Sequence, residues 1–283
     1  MVQILKTLET LQQVVTHTQQ HSNTIALVPT MGNLHAGHEA LIQKARALAD
    51  KVMLSIFVNP MQFNMQQDYL SYPVTLEQDI CIAQQHGVDY VFTPTAEEIY
   101  AAVPHRITLD FPGITNRYCG HYRPGHFQGV LTIISILLHL IHPHYAVFGE
   151  KDYQQLRIIQ LMAQQLHIPT NIVPVPTVRT AHGLALSSRN SHLAAEETKQ
   201  AGWIYHTLHH IHTLLLARAR PFARLEQEGQ ERLTRKGFRV DYFAIAEAEY
   251  LQPAQPQDEN LVILTACHLG ETRLIDNVLC QRT

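Results

Sequence analysis

Thr24-Ile-Ala-Leu-Val-Pro-Thr-Met-Gly-Asn-Leu-His-Ala-Gly-His38 passes from an apolar run, through a turn, into the start of a helix. The run Thr24 to Val28 is short, uncharged and closed by Pro29 and Gly32, which reads as a buried strand. From Gly37 to about Ala49, the residues Leu41, Ile42, Ala45 and Leu48 fall on one apolar stripe of a helix. A helix start presents unpaired N–H groups and a positive dipole end, so it favours anions. His35 and His38 add side-chain donors at the same place, and Gly37 permits close approach of a ligand. This arrangement suits the phosphates of a nucleotide. Spacing alone is weak evidence, because histidines three apart arise by chance in a chain with 19 of them. The position between strand and helix singles this pair out.

The same alternation continues for about 175 residues. Strands are expected at 24–28, 52–58, 89–92, 145–148 and 171–175, and helices at 37–49, 76–86, 128–141 and 153–166. Short apolar runs between amphipathic helices indicate an α/β fold, a doubly wound parallel sheet covered on both faces. Ligands of such sheets sit beyond the carboxyl ends of the strands, which here are the segments 29–38, 59–63, 149–155 and 176–189. Pro174-Val-Pro176 reads as a hinge, giving domains 1–176 and 177–283. The second is expected as a small α+β unit with helices 194–217 and 222–236 and strands 240–246 and 261–268.

Composition narrows the classes. The chain of 283 residues is 46% hydrophobic and 16% charged, ordinary for a globular enzyme, with net charge −3 and no basic block to support nucleic-acid binding. Cys81, Cys119, Cys267 and Cys280 are scattered, with no C-x-x-C, and read as reduced thiols of a cytoplasmic protein. Residues 1–20 are polar, with Ile4, Leu8, Leu11 and Val15 at helical spacing, unlike a signal peptide. Val130 to Ile141 is too short to span a bilayer and reads as a buried helix, so no membrane partner is expected. His206, His209 and His210 share a helix face, but no H-E-x-x-H accompanies them, and no dedicated metal site is expected.

Three further post-strand segments are chemically suggestive. Asn59 and Gln62 are either turn residues or an amide pair for an uncharged ligand end. Gly149-Glu-Lys-Asp152 offers close backbone approach, a cation and an aspartate that could equally cap the next helix. Ser187-Ser-Arg189 combines hydroxyls and a guanidinium, a set typical for phosphate oxygens and also for a helix cap.

Together these pieces resemble the pantoate–β-alanine ligase family. The resemblance rests on Pro29 to His38, Ser55 to Phe63, Arg123-Pro-Gly-His-Phe127 with Gly129-Val130, Phe148 to Gln155, Gly183 to Asn190, and Thr272-Arg-Leu-Ile-Asp-Asn277. It spans nearly the whole chain in order. It implies a Rossmann-like N-terminal domain of the HxGH nucleotidyltransferase type, a smaller C-terminal lid domain and a homodimer. It also implies ATP, pantoate and β-alanine as substrates, with Mg²⁺ accompanying the ATP. Carried onto matching positions, the family roles give His38 as the catalytic residue. ATP would be held by Met31, Gly32, Asn33, Leu34, His35, Ala36, Gly37 and His38, by Gly149, Glu150, Lys151 and Asp152, by Val178, and by Leu186, Ser187, Ser188 and Arg189. Gln62 and Gln155 would hold pantoate, with Asn59 supporting Gln62.

Some residues depart from the family pattern. His182 stands where Asp is usual, Leu186 where Met is also common, and Arg117-Tyr-Cys-Gly-His-Tyr122 differs from the usual sequence. Two other readings fit the same residues. One is a related nucleotidyltransferase with a phosphate acceptor, which would call for extra Lys or Arg in the acceptor pocket. The other is a nucleotide-binding regulator without turnover, against which His38, Lys151 and Arg189 argue.

Overall fold

A computed structural model describes residues 2–64, 69–70, 72–100, 107–218 and 220–282. Among these, six parallel strands form one sheet: β1 (Gln3–Leu5), β2 (Ile25–Thr30), β3 (Lys51–Ile56), β4 (Tyr90–Phe92), β5 (Tyr145–Gly149) and β6 (Asn171–Val175). Their order is β1-β4-β3-β2-β5-β6. Helices α1 (Leu8–Gln20), α2 (Ala36–Leu48), α3 (Leu76–Gln85), α4 (His126–Ile141) and α5 (Tyr153–Gln165) connect them. Strand alternation sends Ile25, Leu27 and Met53 to one face, where they pack with Leu131, Leu138 and Ile159 of α4 and α5. Ala26, Val28, Val52 and Leu54 face the other way onto Ile42 and Ala45 of α2. Both faces are covered, which is why these strands read as continuous apolar runs.

The C-terminal part holds α6 (Ala195–Ala201), α7 (Trp203–Leu216) and α8 (Phe222–Arg235). They accompany an antiparallel sheet of β7 (Arg239–Glu247), β8 (Asn260–Leu269) and β9 (Thr272–Gln281), in that order. Leu208, Ile211, Leu225 and Leu233 of its helices pack on Phe243, Ile263 and Cys267 of its strands. Ala246, Leu251, Val262 and Leu264 instead join the cluster under the parallel sheet. A boundary at 176/177 therefore separates the two sheets but not the two cores.

Three expectations differ from what is observed. Ile4 lies in β1, paired in parallel with β4, and not on a helical stripe. Helix α1 begins only after Thr7, whose Oγ1 accepts from the Thr10 amide at 3.2 Å. A three-residue strand is too short to display a period. The single helix expected at 194–217 is two, parted at Gly202, where the His182 carbonyl packs so closely that a Cβ would lie 2.1 Å from its oxygen. Strand β9 is missing from the expected set because its alternation is broken by buried Asp276 and Asn277. Both are satisfied by specific partners: Asp276 pairs with Arg179 at 2.5 and 2.9 Å, and Asn277 bonds the backbone of the 150–151 turn.

Candidate active site

The sheet opens between β2 and β5. Strand β2 pairs with β3 from Ile25 through Thr30, and β5 pairs with β6 through Gly149. Between β2 and β5, however, only Ala26↔Tyr145 and Leu27↔Ala146 are in register. Pro29 has no N–H to continue that ladder. Strand order also reverses at this point, so the crevice is the switch point at which doubly wound sheets place ligands. A cavity of about 230 Å³ fills it.

The turn after β2 is built on Asp79 of α3. This carboxylate is buried and accepts from the Asn33 amide at 3.0 Å, the Leu34 amide at 2.8 Å and Thr75 Oγ1 at 3.2 Å. Gly32 (φ 83°) and Asn33 (φ 52°) supply the left-handed backbone that aims both amides at it. His35 then caps α2. Its Nδ1 accepts from the Gly37 amide at 3.1 Å, and its carbonyl accepts from the His38 amide at 2.7 Å. His38 Nδ1 in turn accepts from the His35 amide at 3.3 Å. Gly37 is required here, since a Cβ would lie 2.8 Å from the His35 ring.

This capping decides the tautomers. With Nδ1 of each ring accepting, each neutral imidazole carries its proton on Nε2. The ring centroids lie 4.1 Å apart with the planes tilted by 37°. Burial and then the Lys151 charge depress His35 to about 4, and burial, His35 and Lys151 depress His38 to about 3. At neutral pH the pair is an uncharged pair of Nε2–H donors. The anion grip expected of free helix-start amides is therefore modified, because the Gly37 and His38 amides are already taken by His35.

The opposite wall follows β5. Lys151 Nζ lies 3.4 Å from Asp152 Oδ1, and Asn277 of β9 donates to the carbonyls of Glu150 and Lys151 at 2.8 and 2.9 Å. From the C-terminal part, Leu186 is set by its amide to the Val178 carbonyl at 2.9 Å. Ser187 Oγ accepts from the Arg189 amide at 3.3 Å. Ser188 Oγ donates to the Asn33 carbonyl at 3.3 Å, so this segment touches the β2 turn directly.

A third wall carries the amides. Tyr100 donates to Asn59 Oδ1 at 2.5 Å, and Asn59 Nδ2 donates to Gln62 Oε1 at 3.1 Å and to the Gly129 carbonyl at 3.0 Å. Gln62 therefore presents its NH₂ to the cavity, beside Met31 Sδ at 2.6 Å. His126 holds the Gln62 backbone: Arg123 donates to its Nε2 at 3.1 Å, so Nδ1–H donates to the Gln62 carbonyl at 2.8 Å. Burial, then Arg123, depresses His126 to about 3.

Of the residues singled out from the sequence, the cavity is lined by Met31, His35, Gly37, His38, Asn59, Gln62, Gly149, Lys151, Asp152, Gln155, Val178, Leu186, Ser187, Ser188 and Arg189. Gly32, Asn33, Leu34, Ala36 and Glu150 are absent from its lining. The amides of Asn33 and Leu34 serve Asp79. Sequence reading misses Asp79, Tyr100, Ser55 and the Arg123–His126 pair. The last is visible within Arg123-Pro-Gly-His126, but its backbone partner 64 residues away is not. Asp79 sits in an ordinary amphipathic helix and carries no local signal. Among the described residues Asp152 is the one carboxylate on the cavity wall, and no group of three His, Cys, Asp or Glu is placed to hold a metal ion. No helix among them is long and apolar enough to cross a membrane.

A model of the family described as pantoate-beta-alanine ligase matches residues 3–279. The pantothenate synthetase of Nitrosococcus oceani is 44% identical over 281 residues, covering 99% of this chain and 98% of that one. That of Pseudomonas putida W619 is 45% identical over 277 residues, covering 97% and 96%. The crystal structure of pantothenate synthetase from Thermus thermophilus superposes with a TM-score of 0.90 at 39% identity, covering 98% of this chain and 99% of that one. The pantoate-beta-alanine ligase of Francisella tularensis, solved with β,γ-ATP and β-alanine, superposes with a TM-score of 0.83 at 34% identity, covering 99% and 98%.

Proposed function

The chain belongs to the pantoate–β-alanine ligase family, and from this premise we propose how its own residues perform the family's reaction. The enzyme is an AMP-forming ligase that condenses (R)-pantoate with β-alanine, using ATP, to give pantothenate, AMP and pyrophosphate. In the first step a pantoate carboxylate oxygen bonds to the α-phosphorus, and the bond to the β-phosphate oxygen breaks. In the second the β-alanine amine attacks the acyl carbon of pantoyl adenylate, the bond from that carbon to the phosphate-bearing oxygen breaks so that AMP leaves with the oxygen, and the amine proton passes to solvent.

One observation supports the site assignment above others. The neutral His35–His38 pair, Lys151 and the Ser187–Arg189 segment meet Gln62 and Gln155 in a single crevice. We assign the Nε2–H groups of His35 and His38, with Lys151 and Arg189, to the charge that moves onto pyrophosphate. His38, the more deeply buried of the two rings, is the catalytic donor. Gly149, Val178 and Leu186 border the adenosine side. Gly32, Asn33, Leu34 and Ala36 act at one remove, by holding the turn that carries His35. Gln62 and Gln155 take the hydroxyls of pantoate, Gln62 by donating from its NH₂, since its Oε1 is held by Asn59, and Gln155 with an amide that offers both donor and acceptor. The chemistry asks for positioning and charge neutralisation and needs no protein nucleophile.

Mg²⁺ belongs to this reading as the companion of ATP. With Asp152 the one carboxylate on the wall among the described residues, the ion would be held mainly by phosphate oxygens and water, as Mg²⁺ commonly is. Residues 177–283 serve as the lid in the sense that Leu186 to Arg189 close over the phosphates. A cytoplasmic homodimer completes the reading, and sedimentation equilibrium tests the dimer. Incubation with ATP, pantoate and β-alanine should yield AMP and pantothenate in equal amounts. AMP formation independent of pantoate would contradict the assignment.

A further inference from the structure

Ser55 is the residue that neither the fold nor the catalytic assignment uses. It lies near the carboxyl end of β3, in register with Pro29 across the ladder to β2. It is 1% exposed, and its Oγ has no hydrogen-bond partner among the described residues. Yet it lines the catalytic cavity. A buried hydroxyl without a partner costs free energy, so its presence calls for a compensating contact. Strand alternation puts Ser55 on the same face as Phe57, below the amide wall. Pro29 lies beside it across the ladder, and the cavity-lining apolar residues Ile133, Ile134 and Leu137 of α4 belong to the cluster that covers this face, together with Met53 and Phe57. Among these residues Ser55 alone carries a polar side-chain atom. Neighbouring polar groups are committed elsewhere: Thr30 Oγ1 donates to the Ser55 carbonyl at 2.9 Å and accepts from Gly32.

We propose that Ser55 is a specificity-determining residue whose hydroxyl hydrogen-bonds one of the two hydroxyl groups of the acid substrate. The proposal rests on the pantoate assignment of this cavity. The ligand supplies the partner that the protein withholds, and the apolar floor accepts the substrate's methyl groups beside it. A site built to bond a hydroxyl rejects the analogue lacking it, because its own polar group is then left buried and unpaired.

The test is Ser55→Ala, assayed with pantoate and with the two analogues lacking either the 2- or the 4-hydroxyl. Pantoate kcat/KM should fall about tenfold, the worth of one neutral hydrogen bond, mainly through KM. With one of the two deoxy acids the variant and the parent should be equal. The unliganded variant should melt at the same temperature or higher, since an unsatisfied hydroxyl has been removed. A structural role for Ser55 predicts the reverse, a lower melting temperature with no dependence on the acid's hydroxyls. Equal losses with all three acids, or unchanged pantoate kinetics, would overturn the proposal. If Ser55→Ala does not fold, Ser55→Cys, of similar volume and weaker donor strength, carries the same comparison. Failure of the parent enzyme to form pantothenate would instead strike the underlying assignment.

Discussion

The chemistry of this site turns on where two imidazoles keep their protons. His35 and His38 each spend Nδ1 on a backbone amide of the same helix start. Each therefore offers Nε2–H without carrying charge. His38→Ala should slow adenylate formation by about 10²–10³-fold, the range for losing one such donor. Its melting temperature should stay within a few degrees, because the ring faces the cavity. Unfolding of the variant would make His38 a core residue instead. The depressed values of His35, His38 and His126, about 4, 3 and 3, also fix a stability trend. Unfolded histidines titrate near 6.5, so as pH falls below that value the unfolded chain takes up protons first. Stability should fall progressively from about pH 6.5 towards 3, and these groups should impose no pH dependence above 6.5. Thermal melts across that range check the sign, and His38→Gln should show a shallower acid slope.

At the scale of elements, contacts distant in sequence do the positioning. Helix α4 reaches the turn at 60–62 through Gly129, where a Cβ would lie 2.4 Å from the Met61 carbonyl oxygen and 2.6 Å from the Gln62 amide. Gly129→Ala should push that turn away, costing about 1–3 kcal/mol in overpacking and raising KM for pantoate more than KM for ATP. An equal rise in both would deny a specific link to Gln62. Strand β9 clamps the 150–151 turn through Asn277. Asn277→Ala should raise KM for ATP several-fold and leave KM for pantoate nearly unchanged, as steady-state kinetics can show. Expected element boundaries in the parallel sheet agree with the observed ones within two residues, because buried parallel strands and amphipathic helices differ sharply in period. β1 is too short to show a period, and β9 hides its period behind a buried aspartate and asparagine. In both, pairing overrides the local pattern.

For the whole molecule, the two sheets share part of a core, while the crevice lies at the carboxyl ends of β2 and β5. Ala246, Leu251, Val262 and Leu264 pack beneath the parallel sheet, so the C-terminal part is anchored at one end. Its other end, Leu186 to Arg189, reaches the β2 turn through the Ser188–Asn33 pair of hydrogen bonds at 3.3 and 3.4 Å. These half-buried bonds tie the 186–189 segment to the β2 turn. Much of the site is legible in the sequence, because the ligand-facing segments follow strand ends and carry unusual polar runs. The supporting residues are not. Asp79, Tyr100 and His126 act through partners 45, 41 and 64 residues away, and no local spacing reports such contacts. The central claim is an acyl adenylate formed in this crevice from ATP and pantoate alone. Exchange of labelled pyrophosphate into ATP, with pantoate present and β-alanine withheld, measures it directly. The account predicts exchange that depends on pantoate and collapses in His38→Ala. Protein that forms pantothenate once β-alanine is added, yet shows no exchange without it, would contradict the account.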